Sequence, residues 1–190
     1  MRRSIKELVG HGEVYVLGLG NTDRADDGAG ILAAQALKKL FPSSVFSEHD
    51  GVEGVVLDIS EKIGDISVFF IDAANMHAKP GSIRLIAREE IADSEVTTHR
   101  VMVGLMASIL DRAGKRCAVI GIQPGSIKFG GSVSKGVQRA ITVVVTALER
   151  IMRESDGRGC AKEREKEPKG TSPRAKVADI HGGKVRHGRY

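Results

Sequence analysis

Apolar runs of strand length alternate along this chain with segments of helical period, and no other feature narrows its folds so much. Glu13-Val14-Tyr15-Val16-Leu17-Gly18-Leu19-Gly20, Ile66-Ser67-Val68-Phe69-Phe70-Ile71 and Arg116-Cys117-Ala118-Val119-Ile120-Gly121-Ile122 read as buried strands, with Val45-Phe46-Ser47 as a short one. Ser82-Ile83-Arg84-Leu85-Ile86 alternates, as a half-exposed or edge strand does. Between these runs, residues 27–40, 52–61, 100–113 and 134–153 carry apolar side chains at helical spacing. Ile31, Ala34, Leu37 and Leu40 mark the first, and Val137, Ile141, Val144, Val145, Leu148 and Ile151 the last. Such alternation predicts an α/β fold: a three-layer αβα domain whose mainly parallel, twisted sheet has helices on both faces. Right-handed crossovers then bring the loops after parallel strands to one edge of the sheet, where ligands usually bind.

The domain is expected to span residues 1–155. Ile5, Leu8 and Val9 share a helical face and predict an N-terminal helix within residues 1–12. From 156 the apolar periodicity stops, charges alternate from Lys162 to Lys169, and Pro168, Pro173 and paired glycines follow. A basic, disordered tail is the expectation for 156–190. With 41% hydrophobic but only 4% aromatic residues, the core has to be aliphatic.

The net charge of +5 hints at a nucleic-acid partner, but its location removes the hint. Residues 156–190 hold 10 Lys/Arg and 5 Asp/Glu, whereas residues 1–155 hold 19 of each. The folded part has no basic bias to explain, so no nucleic acid is expected. No apolar stretch reaches the 18 or so residues of a membrane span, so no membrane insertion is expected. Met1-Arg2-Arg3-Ser4-Ile5-Lys6 is basic but lacks the apolar region of a signal peptide. Cys117 lies in an apolar run and Cys160 in the polar tail, a usage that suits the reducing cytoplasm.

The first glycine turn resembles a dinucleotide site only in part. Gly18-Leu19-Gly20-Asn21-Thr22-Asp23 puts an aspartate where G-x-G-x-x-G needs its third glycine, and Asp26 and Asp27 follow. Carboxylates there repel a pyrophosphate, so Asp23, Asp26 and Asp27 favour a cation over a phosphate. Asp26 or Asp27 could equally be a plain helix cap. Asp72, at the end of an Ile, Val and Phe strand, could be simple turn chemistry. His99, after Thr97-Thr98, could be a solvated residue at a helix start. Taken together, Asp27, Asp72 and His99 come from three loops and could converge as an oxygen, oxygen, nitrogen set for a divalent ion, nickel and zinc included. His77, five residues past Asp72, competes with His99. His11 and His49 look peripheral, and His181 and His187 fall in the tail. Neither H-E-x-x-H nor G-x-S-x-G is present, and Cys117 reads as inert core rather than nucleophile.

These motifs resemble those of the nickel-iron hydrogenase maturation proteases. Gly18-Leu19-Gly20-Asn21 followed by Asp26-Asp27-Gly28-Ala29-Gly30 is similar to the family's opening signature. Ile71-Asp72-Ala73 is similar to its second acidic motif, and Thr97-Thr98-His99-Arg100 to its histidine motif. Gly121-Ile122-Gln123-Pro124 with Phe129-Gly130 also fits, and the likeness runs in order over residues 13 to 153. The resemblance implies an aspartyl-type endopeptidase that removes the C-terminal extension of a hydrogenase large-subunit precursor after nickel insertion. It implies Asp27, Asp72 and His99 as the residues of catalysis and metal recognition, nickel presented by the substrate, and no tightly bound metal of the protein's own. Some relatives carry Glu where this chain has Asp27, one methylene longer. A nickel-loaded large-subunit precursor is then the expected partner. The alternative is a non-proteolytic nickel-sensing checkpoint or chaperone with the same three ligands.

Overall fold

The computed structural model describes residues 9–87, Glu90 and residues 100–166. Five strands form one sheet: β1 (Glu13–Gly18), β2 (Val45–Ser47), β3 (Ile66–Ala73), β4 (Ile83–Ala87) and β5 (Arg116–Ile122). Their order is β2-β1-β3-β5-β4. All neighbours run parallel except β4, which lies antiparallel to β5 at the edge. That placement accounts for the alternation in β4: Ile86 is buried while Ile83 and Arg84 face solvent. The helices are α1 (Ala29–Lys38), α2 (Val52–Glu61), α3 (Arg100–Arg112) and α4 (Lys135–Lys166).

The period-2 pleat divides each buried strand between two cores. Val14, Val16, Phe69, Ile71, Ala118 and Ile120 meet α1 and α4 on one face. Tyr15, Leu17, Val68, Phe70, Cys117 and Val119 meet α2 and α3 on the other. Strands covered on both sides have no polar face, which is why β3 reads as a continuous apolar run. Each fully buried Leu, Ile or Phe there contributes about 1.5–3 kcal/mol relative to exposure. Helix α1 sits unusually close to the sheet. Any side chain on Gly18 would strike the Gly30 carbonyl, and one on Gly30 would strike the Ile71 and Leu19 carbonyls. Two glycines thus let helix backbone touch strand backbone.

Three expectations need adjusting. Residues 1–8 of the proposed N-terminal helix lie outside the described residues, and residues 9–12 are not helical. The segment from 27 does not start as an α-helix: Ala25–Gly28 forms a 3-10 turn, and α1 begins at Ala29 with no side-chain cap from either Asp26 or Asp27. The last helix does not stop near 153 but continues to Lys166, well into the segment expected to be tail. Beyond Leu148 it is supported by Ile151 and Met152 against the core and by the Ser155 hydroxyl donating to the Gly12 carbonyl. The i,i+4 pairs Glu149–Arg153 and Arg150–Glu154 add to it. No proline falls between Lys135 and Pro168 to interrupt the helix. Residues 167–190 of the expected tail lie outside the described residues. Among the described residues, no helix is long and apolar enough to cross a membrane.

Candidate active site at the carboxyl edge of the sheet

From β1 the chain moves outward to β2, then returns past β1 to β3. Strand order therefore reverses between β1 and β3, and the crevice beyond their carboxyl ends is where ligands bind in such sheets. Asp72 is the penultimate residue of β3 and fully buried. Counting from Val68 and Phe70, the pleat puts it on the face that carries α2 and α3, in register with Gly121 of β5. Asp27 sits in the 25–28 turn, 2% exposed, and that turn lies against β3. Asp72 thus lies at the carboxyl edge of the sheet, and the turn that carries Asp27 packs against the same strand.

Asp27 Oδ1 is buried and has no hydrogen-bond partner among the described residues. Leaving such an oxygen unsatisfied costs about 1–3 kcal/mol, more if it is charged, so the fold has some reason to keep it. His99 lies outside the described residues. Helix α3, whose first residue Arg100 follows it in sequence, packs on the Asp72 face. The competitor, His77, is exposed at the tip of the β3–β4 loop with φ 52°. Among the described residues no cluster of three or more His, Cys, Asp or Glu side chains is set to hold a metal ion.

The expected acidic trio does not act as one cation site. Asp23 is exposed, and the fully buried Asp26 spends its carboxylate on backbone donors. Its Oδ2 accepts the N–H groups of Gly125 (2.8 Å) and Ser126 (3.1 Å), and its Oδ1 accepts that of Ser134 (2.6 Å). Burial works against the charge, but the N–H bonds from Ser134, Gly125 and Ser126 outweigh it and hold the carboxyl below the ordinary value of 3.8. Asp26 is therefore an internal latch between the β1–α1 and β5–α4 loops. Composition gave no hint of this, because its partners lie about a hundred residues away.

Gln123 was also missed as a working residue, although Gln123-Pro124 stood out at a strand end. Its Oε1 accepts the N–H groups of Met76 (2.7 Å) and Ala78 (3.2 Å), on either side of His77. Its backbone pairs with Gly81 and Ser82. Gly125 completes the junction, since a Cβ there would press on Pro80 and the Asp26 carboxylate. Glu48 Oε2 accepts the Gly20 N–H (3.0 Å) and ties in the first turn.

Residues 56–152 match the family model for hydrogenase maturation proteases, a span that includes Asp72, His99 and Gln123. The chain belongs to the hydrogenase maturation protease family. The hydrogenase expression/formation protein HupD of Thiocapsa roseopersicina is 30% identical over 72% of this chain, which spans 66% of that protein's length. The hydrogenase 3 maturation protease of Escherichia coli K12 is 28% identical over 70% of this chain and 87% of its own length. Among solved structures, the [NiFe] hydrogenase maturation protease HycI from Thermococcus kodakarensis KOD1 superposes with a TM-score of 0.63 at 25% identity. That match covers 79% of this chain and 99% of the other. The αβα architecture is thus the maturation protease fold, and the enzyme class is peptidase.

The latch gives this maturation protease a defined acid response. Because the folded Asp26 carboxyl titrates below 3.8, its contribution is complete above that pH and is lost as pH falls further. Asp26→Asn can offer an acceptor on one oxygen only and turns an amide group toward an N–H donor. A loss of about 2–4 kcal/mol at neutral pH is expected, together with a shallower decline of stability below pH 4. Urea unfolding followed across pH checks both.

Proposed function

We propose that this protease removes the C-terminal extension of a nickel-iron hydrogenase large-subunit precursor, and that it reads the precursor's own nickel through Asp27, Asp72 and His99. The observation that carries the reading is the buried Asp27 Oδ1, left without a donor in a turn packed against the strand that bears Asp72. A buried carboxylate oxygen without a donor is suited to a cation, and carboxylates with an imidazole suit nickel among the first-row ions. In this reading the nickel is part of the substrate. Docking it against the two aspartates fixes the nearby scissile peptide in place, and orientation of that kind removes much of the entropic part of a barrier. A carboxylate oxygen of this pair that the metal does not engage can then take a proton from the attacking water. The expected site of action is the cytoplasm, in keeping with the sparse cysteines of the sequence.

The test is a processing assay with purified protein and purified large-subunit precursor, with and without nickel. Shortening of the nickel-loaded form alone is expected. Equal cleavage of both forms would overturn nickel recognition while leaving the peptidase intact. Tight binding without cleavage of either would favour a checkpoint protein.

A further inference from the structure

We infer that the β5–α4 arm, residues 124–131, is the part of the site that grips the precursor's polypeptide, with Phe129 as its contact. This deepens the proteolytic reading and rests on it. Of the five phenylalanines, Phe69 and Phe70 are buried, and Phe41 and Phe46 are half-buried under Arg153 and Lys38. Phe129 is 81% exposed, and Ile127 beside it is 39% exposed.

An exposed apolar side chain is ordinary in itself. What sets this one apart is how firmly the arm on either side of it is held. Besides the two N–H bonds that Asp26 accepts from Gly125 and Ser126, the Asp26 N–H donates to the Ser126 carbonyl (3.0 Å). The Gly130 N–H donates to the Asp23 carbonyl (2.7 Å), and Arg24 Nε reaches the Ile127 carbonyl (3.4 Å). Ordering a loop costs conformational entropy at every residue, and an aromatic ring left in water returns nothing toward it. Rigid presentation of an apolar group does favour binding, because the ordering cost has already been met during folding.

The occupant follows from where the arm is fastened. Every one of those bonds ends on residues 23–26, and the next residue is Asp27. A polypeptide that brings a metal ion to Asp27 and Asp72 therefore passes beside the arm. The partner is the precursor itself, presenting an apolar side chain near its metal centre. Phe129 is then a specificity-determining residue that touches the polypeptide and not the reacting atoms, so its removal weakens binding and spares turnover.

The experiment uses the full chain and nickel-loaded precursor. It measures direct binding, processing kinetics and oligomeric state for wild type, Phe129→Ala and Phe129→Leu. For Phe129→Ala we expect KM and the dissociation constant to rise about tenfold, kcat within twofold of wild type, and an unchanged melting temperature. Phe129→Leu should recover most of the affinity, because the contact is apolar. Unchanged KM and affinity in Phe129→Ala would overturn the inference, as would loss of self-association with precursor binding intact. A wild type that binds but does not cut would remove the proteolytic reading, and the binding arm of the comparison would still decide the role of Phe129. A wild type that neither binds nor cuts sinks both.

Discussion

Asp72→Asn is expected to give a folded protein whose processing of nickel-loaded precursor falls by on the order of a hundredfold or more. The side chain is fully buried at the end of β3, and the substitution is nearly isosteric, so the surrounding core has no new volume to absorb. What changes is charge. A neutral amide is a poorer ligand for a divalent ion, and it cannot act as a base. Circular dichroism and melting should stay close to wild type while cleavage is lost. Cys117→Ala is the informative contrast. Cys117 is buried in β5 among the apolar residues packed against α3, so its removal should cost about 1 kcal/mol of packing and leave the processing rate intact. Normal processing by Asp72→Asn combined with an inert Cys117→Ala would mean that a thiol carries the reaction.

Gly30→Ala is expected to damage the fold more than any other methyl-sized change described above. The added carbon has backbone, not side chain, in its way: the carbonyls of Ile71 and Leu19, at the ends of β3 and β1. Neither can swing aside without moving a central strand. A loss of about 3 kcal/mol follows, or about 6–12 °C in melting temperature for a chain of this size. Because Ile71 precedes Asp72, the collision also pushes on the site, so activity should fall even at temperatures where the variant stays folded. Gly54→Ala provides the control. Gly54 is exposed within α2, with nothing within 4 Å of a new Cβ, and there alanine should stabilise by about 0.5–1 kcal/mol. Parallel thermal melts separate the two cases, and equal shifts would refute the backbone-collision account.

Much of this architecture was legible in the residues. Strands such as Ile66–Ala73 are buried on both faces and so leave a continuous apolar signature, while the edge position of β4 shows in its alternation. Asp72 could be picked out because a charge at the end of such a run has no packing reason to be there. The resemblance pointed to Asp27, but nothing in the residues themselves said what its neighbour Asp26 does, since adjacent aspartates look alike in sequence. Only the fold shows that one meets three N–H groups while the other keeps a bare buried oxygen. Gln123 was hidden for the same reason, its amide reaching back to Met76 and Ala78 across the sheet edge. The extension of α4 to Lys166 was hidden differently. Apolar periodicity reports the buried part of a helix, and it falls silent past Ile151 and Met152, the last buried apolar residues of α4.

The bond from the Ser134 N–H to Asp26 joins residues 108 apart in the chain, and it has a consequence for how the protein comes to be active. Asp27 is made early in synthesis, yet the turn that carries it is fastened only after β5 has entered the sheet and the following loop has been translated. A nascent chain that lacks residues 125–134 has both aspartates of the proposed site but not the bonds that fasten the turn of the first to the β5–α4 loop. Contacts of such long range also form late, because closing a large loop is entropically slow. Closure of the Asp26 latch is therefore expected among the late events of folding, and a chain truncated before residue 125 is expected to lack the ordered first turn of the proposed site.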